Sequence, residues 1–455
     1  MDTLIRGGII VTCDKKGTVT RGDVHVRGRE LAAIGPGLAG KRTRTKRDAG
    51  ASDGIVRVID ATGCAIIPGF VQAHVHLCQA IMRGMADDLP LLAWLRERIW
   101  PLEAAHDEKT LAASADLGLS EMILAGTTSI LDMGTVHGHG AVMDACARSG
   151  IRAISGKAMM DVGDGVPAGL RESTRESLRE SEALCAAWSG AADGRLGYAF
   201  APRFILSCTE ALIRGAVETA RESGSLVHTH AAEHPGEREA VRALLGEDDV
   251  GVLRRLGFSG PRAILAHGVQ LTPDEARAIA EEGTRVVHCP SANLKLGSGI
   301  APIAEFDALG MPLALGADGA PCNNNMDPWT ELRHAALLAK VRTGVSALPA
   351  ERAFRLATID GARALGLDSI TGSLEVGKRA DLAVVRLDGV HAEPGANVFA
   401  KLVYACKSSD VEHVMVDGSI LVRNGELVRV SSEDIAANAR HFGGLLARRA
   451  GLSSH

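Results

Sequence analysis

Two histidines stand one residue apart at the end of an apolar run, His74 and His76 in FVQAHVHL. A third, His230, follows SLVHT, and Glu233 lies three residues beyond it. His267 closes AILAH, and Asp318 occupies the turn Gly316-Ala317-Asp318-Gly319 after PLAL. Alternate side chains of a strand project to one side, so His74 and His76 point together where their run is extended, close enough to chelate one metal. A lone HxH pair is a weak signal, and a single His at a strand end is more often a hydrogen-bonded core or rim residue. The joint pattern is much harder to reach by chance and indicates a metal-centred site. Three imidazoles plus one carboxylate, with water completing the shell, suit Zn²⁺, with Fe²⁺ as a substitute. Such an ion lowers the pKa of its water from about 15.7 towards roughly 7. An Asp can bind the ion and take the water's proton, a Glu opposite can carry protons to a leaving group, and a further His can orient the nucleophile or polarise the target. This machinery suits hydrolysis at an sp² carbon that bears a heteroatom.

Groups so far apart in sequence must be brought together by the elements between them. From about residue 64, eight short apolar runs alternate with amphipathic stretches: CAIIPGFVQAHVHL, TTSILDMG, RAISGKAMM, LGYAFAPR, SLVHTHAAE, AILAHGV, RVVHCP and PLALGADG. LAASADLGLSEMILA (111–125) and EALIRGAVETARES (210–223) are two of the stretches between. Near-continuous apolar runs are what buried parallel strands require. Eight β-then-α units over about 300 residues predict an α/β fold, a (β/α)8 barrel, whose functional groups gather at the C-terminal ends of its strands. The early segments GGIIVTCD, DVHVRGRELAAIGP and GIVRVIDATG, and the late ones GSLEVGKRADLAVVRL and VEHVMVDGSILVRNGEL, also read as β. The simplest assembly is a barrel over 63–370 beside a small composite β-sandwich made from 1–62 and 371–455.

Composition narrows the function classes. The chain has 455 residues, 46% of them hydrophobic, with 50 Lys and Arg against 55 Asp and Glu for a net charge of −5. It is too apolar and too evenly charged to be disordered, and it lacks the basic surface of a nucleic-acid binder. The basic stretch Gly40 to Gly54 (GKRTRTKRDAGASDG) reads as a solvated loop between strands. No apolar run reaches the roughly 20 residues of a membrane span. MDTLIRGGII has no basic segment followed by a long apolar one, so a cytoplasmic location is expected. Nine scattered cysteines without a CxxC argue against a disulfide framework or a Cys-based zinc site. Cys78, Cys208, Cys289 and Cys322, near run ends, read as small buried or rim residues and not as nucleophiles. His137 and His139 in TVHGHG have glycines beside them, which places them in a loop at the pocket rim.

The motifs IIPGFVQAHVHLCQAIMRGMADDLPLLAWL (66–95), GTTSILDMG (126–134), HTHAAEH (228–234), LAHG (265–268), HCPSANLKLGSGIAPI (288–303), LGADGAPCNNNMD (315–327) and GSLEVGKRADLAVV (372–385) resemble the amidohydrolase superfamily, in its cytosine/guanine deaminase and triazine-hydrolase branch. The resemblance covers nearly the whole chain. It implies that His74, His76, His230 and Asp318 bind one metal ion, that Glu233 shuttles protons, and that His267 assists the water or the substrate. Dinuclear members use a carboxylated Lys at the end of strand four. Here that strand ends in Ala201-Pro202-Arg203-Phe204, so a mononuclear site is implied. Triazine hydrolases that dechlorinate share the ligands but usually depart at the positions of Glu233 or His267. Both are kept here, which favours amine loss. His228 stays unassigned, with structural placement favoured.

Several details resemble guanine deaminase, giving guanine to xanthine plus ammonia as the expected reaction. Gln79 stands where that enzyme holds the purine with an amide, and APRFILSC (201–208) and ISGKAMMD (154–161) are similar to its strand-four and strand-three ends. An amide donates and accepts side by side, matching a lactam edge. Arg203 can donate to a ring atom, and Phe204, with Trp94, can cover the heterocycle. Against this, Gln79 can serve as a helix cap and Arg203 as a rim ion pair. The alternative is a deaminase of the S-adenosylhomocysteine or methylthioadenosine type, which HCPSANLKLGSGIAP and GADGAPCNNNMD resemble equally well. Those enzymes carry a His at the position of Arg203, an Arg at that of Lys157, and a ribose-gripping carboxylate two residues before the Trp, where this chain has Leu92. Cys322, Asn323, Asn324 and Asn325 depart from guanine deaminase in turn. Substrates such as 8-oxoguanine, pterins and hydroxytriazines also fit, and family members are often dimers or larger, so a homo-oligomer is expected. A non-catalytic paralogue would have lost Asp318, Glu233 or His267, and none is lost.

Overall fold

The computed structural model describes residues 2–38 and 57–452, so the basic stretch 40–54 falls outside the described residues. The chain opens with strands β1 (Thr3–Val11), β2 (Val19–Arg27), β3 (Glu30–Gly35), β4 (Arg57–Asp60) and β5 (Cys64–Pro68). It ends with β15 (Leu382–Arg386), β16 (Val411–Val416), β17 (Ser419–Arg423), β18 (Glu426–Leu427) and a long helix, Ser432–Arg449. The early and late strands meet in one mixed sheet of order β18-β17-β16-β15-β5-β1-β2-β3, with β4 beside β1. The join is antiparallel between β5 and β15, Ile67 opposite Ala383 and Ile66 opposite Val384. Ile5, Ile10, Val24, Leu31, Ile66, Leu382 and Met415 form its own apolar core.

The middle of the chain is the expected barrel. Its parallel staves are β6 (Phe70–Val75), β7 (Thr127–Met133), β8 (Arg152–Gly156), β10 (Leu196–Pro202), β11 (Leu226–Ala231), β12 (Ala263–His267), β13 (Arg285–His288) and β14 (Leu313–Leu315), and the short β9 (Ala158–Met159) also pairs with β10. Every residue of β6 and β7 is buried, as strands covered on both faces must be. Ring closure runs through a parallel bridge between Val75 and Asp318, with the Asp318 N–H donating to His74 O at 3.1 Å. The seam of the barrel therefore lies at two of the residues singled out for chemistry. Helix starts follow local rules: Thr209 caps helix Glu210–Ser223 through Leu212 N, and Gly224 ends it in the left-handed conformation at φ 72°.

Two runs divide where the sequence reads as continuous. Cys64–Pro68 joins the terminal sheet and only Phe70–Val75 enters the barrel, because Gly69 lets the chain cross between them. A Cβ on Gly69 would lie 2.1 Å from Cγ2 of the buried Thr128. RAISGKAMM likewise splits around Lys157 into β8 and β9. The two sheets are tied by a buried ion cluster in which Arg152 of β8 donates to Asp381 at 2.9 Å and Asp417 at 3.2 Å. The terminal helix returns to the barrel, where Gly443 packs against the Ile81 backbone and Arg449 pairs with Asp107 at 2.8 Å. Among the described residues, no helix is long and apolar enough to cross a membrane.

The crossing at Gly69 gives a packing test. Gly69→Ala forces a methyl into the Thr128 side chain and is expected to destabilise by about 1–3 kcal/mol, as overpacked cores do. Urea unfolding followed by circular dichroism reads this as a lower midpoint at unchanged m-value, and an unchanged midpoint would show that Thr128 yields freely.

Candidate active site

The C-terminal end of the barrel collects the chemistry. β6 carries His74 and is followed at once by His76, β11 carries His230, and His267 is the last residue of β12. Asp318 and Glu233 follow β14 and β11. All six are buried. Backbone strain gathers in the same place: Ala232 (φ 50°), His267 (φ 79°) and Asp318 (φ 65°) are non-glycine residues in the left-handed region. Each such residue costs of order 1–3 kcal/mol and persists only where its surroundings dictate it. The seam hydrogen bond at Asp318 and the bond from Gly268 N to Ala231 O are two such constraints.

Each imidazole is held by Nδ1. His76 Nδ1 faces Met133 O at 2.7 Å, His230 Nδ1 faces Arg203 O at 2.7 Å, His267 Nδ1 faces Asn293 Oδ1 at 2.9 Å, and His74 Nδ1 faces His228 Nε2 at 2.9 Å. Their Nε2 atoms are left to converge. His76 Nε2 lies 3.1 Å from His230 Nε2, and Asp318 Oδ1 lies 3.2 Å from His74 Nε2 and 3.3 Å from His76 Nε2. Donors bonded to one zinc at roughly 2.0–2.2 Å in a tetrahedral shell lie about 3.3 Å apart, so the spacing suits one such ion. His74 Nε2 and His267 Nε2 are buried without a hydrogen-bond partner, as atoms reserved for another group would be. Donor atoms of His74, His230, His267 and Asp318 lie within 4.8 Å of one another, and His76 adds a fifth residue beside His230. His267 leans to the far side, its Nε2 3.5 Å from Glu233 Oε2 and 3.9 Å from Asp318 Oδ2.

Electrostatics separates the acids. Burial works to raise Asp318, but the close imidazoles of His74 and His76 and their charge hold it well below the usual carboxylate range. Burial, reinforced by the charge of Asp318, pushes Glu233 well above that range. Burial takes His74 down to about 4 and His230 well below the imidazole value. For His76 burial is outweighed by Asp318, and the net shift is upward. One carboxylate is thus charged and another favours its proton, with mostly neutral imidazoles beside them.

His76, His230, Glu233, His267 and Asp318 form the floor of a pocket that is also lined by Gln79, Leu91, Trp94, Leu95, Arg203, Phe204 and Leu296. The four residues expected to hold substrate, Gln79, Trp94, Arg203 and Phe204, all line it. Gln79 is no helix cap: its amide N–H donates to Glu103 at 2.9 Å. Arg203 pairs with the same carboxylate through both terminal nitrogens. Burial opposes charge on Glu103, but Arg203 and Gln79 lower its pKa on balance. Glu103, which holds these two lining side chains from behind, is the residue that sequence reasoning missed. It sits in helix Trp100–Ala104, 24 residues from Gln79 and 100 from Arg203, and no spacing marks it out.

Cys78, Cys289 and Cys322 are fully buried and burial holds their thiols well above the usual value, while Cys208 is pushed up to about 12. None is placed to act as a thiolate, although the Cys322 thiol donates to Asp318 Oδ2 at 3.3 Å. The rim placement of His139 is corrected: its ring is buried, with Nε2 3.1 Å from Ser155 Oγ, which in turn donates to Asp132 at 2.5 Å. His137 is exposed, and neither histidine lines the pocket. Lys157 is buried against Glu172 and Glu180 and also lies outside the lining.

Comparison with known proteins agrees with this geometry. Residues 65–421 match the amidohydrolase family. The chain is 39% identical over 462 residues to a 5-methylthioadenosine/S-adenosylhomocysteine deaminase of Halobacterium salinarum, with 99% of each chain covered. The crystal structure of an adenosine deaminase from Xanthomonas campestris with bound zinc superposes with a TM-score of 0.90 at 32% identity, covering 98% of this chain and 99% of that one. The guanine deaminase of Escherichia coli superposes with a TM-score of 0.83 at 25% identity, covering 92% and 99%.

Removing the acid of the Glu103–Arg203 pair strands a buried guanidinium. Glu103→Gln is expected to cost about 3–5 kcal/mol of stability, read as a lower thermal midpoint. An unchanged midpoint would mean that water reaches the pair.

Proposed function

The chain belongs to the amidohydrolase family, and on that premise we propose that it removes the exocyclic amino group of an adenosine-type nucleoside such as 5-methylthioadenosine or S-adenosylhomocysteine. Water replaces the amine at the ring carbon, giving the oxo product and ammonia. The observation that carries this reading is the end-to-end identity of 39% with a deaminase of these compounds, in a chain that keeps the whole proton-transfer set. The expectation of guanine gives way to it, because the guanine deaminase likeness is the more distant at 25% identity.

In this reading His74, His76, His230 and Asp318 hold one divalent ion, most simply Zn²⁺. When bound, the ion supplies Lewis acidity and a water that ionises near neutrality. Asp318 Oδ1 faces the imidazoles, which leaves Oδ2 beside His267 to take a proton from the water. Glu233, biased towards its protonated form, gives its proton to the ring nitrogen, takes one from the added hydroxyl and passes it to the departing amine, and the proton held by Asp318 then restores the acid. His267 Nε2 lies between Glu233 and Asp318, placed to orient the attacking oxygen. Leu91, Trp94, Leu95, Phe204 and Leu296 cover the ring and keep bulk water out.

A second reading, a guanine-like free base, is supported by the wall itself. Gln79 and Arg203 line the pocket, Leu92 stands where a ribose-gripping acid is expected, and Glu103 is already engaged. One assay separates the two. Zinc-loaded protein is given 5-methylthioadenosine, S-adenosylhomocysteine and guanine in turn, and ammonia is measured. Turnover of a nucleoside with much higher kcat/KM than guanine is expected; the reverse order would install the second reading, and no ammonia from any of them would reject both.

The proton shuttle is tested separately. Glu233→Gln keeps shape and removes the transferable proton, and kcat on the best substrate should fall by about 10²–10⁴. Normal kcat would mean that another group carries the protons.

A further inference from the structure

We infer that His228 is a positioning residue for the metal centre, holding His74 in the orientation and tautomer that leave its Nε2 free for the ion. The inference rests on the ligand set proposed above. His228 lies on β11, two residues before His230, so both side chains project into the barrel. β6 and β11 are not neighbours in the sheet, so the 2.9 Å contact between His228 Nε2 and His74 Nδ1 spans the barrel interior. The rings meet nearly at right angles, 84° apart with centroids 4.9 Å apart, and both residues are wholly buried.

The other anchors show what this contact must do. Met133 O, Arg203 O and Asn293 Oδ1 can only accept, so each fixes a proton on the Nδ1 it faces and bares the Nε2 opposite. His74 alone is anchored by a group able to donate or accept. With its proton on Nδ1, His228 accepts from His74 Nδ1–H, and His74 Nε2 presents a lone pair to the ion. With its proton on Nε2, His228 donates to His74, whose own proton must then sit on Nε2, facing Asp318 Oδ1 at 3.2 Å. Both arrangements carry two protons on four nitrogens. Passing from the second to the first takes one proton off His74 Nε2, moves the bridging proton across, and places one on His228 Nδ1. That last atom is buried without a hydrogen-bond partner. A ring serving only to fill space would not need its Nε2 aligned on the one nitrogen of His74 that the ion does not use. Partners of this kind, outside the ligands themselves, typically change metal affinity by about 10–100-fold when removed.

The test compares His228→Leu, which removes the acceptor, with His228→Gln, whose amide oxygen reaches the place of Nε2. The full-length proteins are stripped of metal and titrated with Zn²⁺ against a chelator of known affinity, and their Co²⁺ absorption spectra are recorded. His228→Leu is expected to lose about 10–100-fold in zinc affinity and to change the Co²⁺ spectrum, with most of both recovered in His228→Gln. Wild-type zinc affinity in His228→Leu would overturn the inference, and so would equal losses in the two variants, since ring shape alone would then matter. If the wild type itself takes up no zinc, the ligand set fails instead. Thermal melting of the metal-free proteins shows whether the leucine variant is folded, and if it is not, the glutamine variant against wild type decides.

Discussion

An imidazole can give one nitrogen to a metal only if the proton on its other nitrogen has somewhere to go. That constraint organises this molecule. Four rings meet at the barrel mouth, each with Nδ1 against a polar partner and Nε2 turned inward. Two of the acceptors are backbone carbonyls, Met133 O at the end of β7 and Arg203 O just past β10. The site is therefore dictated by the strands as much as by the ligand side chains. A change in register anywhere among β6, β7, β10 and β11 would turn a carbonyl away and release a ring.

Barrel closure serves the same end. The seam pairs Val75 with Asp318, so the bond that completes the ring also sets the carboxylate beside His74 and His76. The strained conformations of Ala232, His267 and Asp318 are affordable only because neighbouring strands hold them. Stability and chemistry share a boundary here. The Glu103 carboxylate shows it again: it neutralises Arg203, orients Gln79, and so shapes the wall that a heterocycle must meet.

Much of this was legible in the chain. Apolar runs with a His or acid at the end gave away the barrel and marked a candidate site at its rim, because parallel strands must be apolar throughout while their ends face a cleft. What escaped depended on contacts without local pattern. The break at Gly69 is invisible because both halves of the run are equally apolar, and only the closeness of Thr128 explains the glycine. Glu103 is one acid among 55 Asp and Glu, made special solely by partners 24 and 100 residues away. His139 looked like a rim residue from its flanking glycines, yet its ring turns inward to Ser155. Preference between nucleoside and free base was beyond local reading too, since Arg203 and Leu92 favour one and whole-chain similarity the other.

The central claim is that one ion sits among nitrogen and oxygen donors and no sulfur. X-ray absorption at the zinc edge of the loaded protein tests it most directly. The account predicts a first shell of imidazole nitrogen and carboxylate or water oxygen at about 2.0–2.2 Å, with one ion per chain. A sulfur shell at about 2.3 Å, drawn from Cys322 or another buried thiol, would contradict it, as would a second metal scatterer close by.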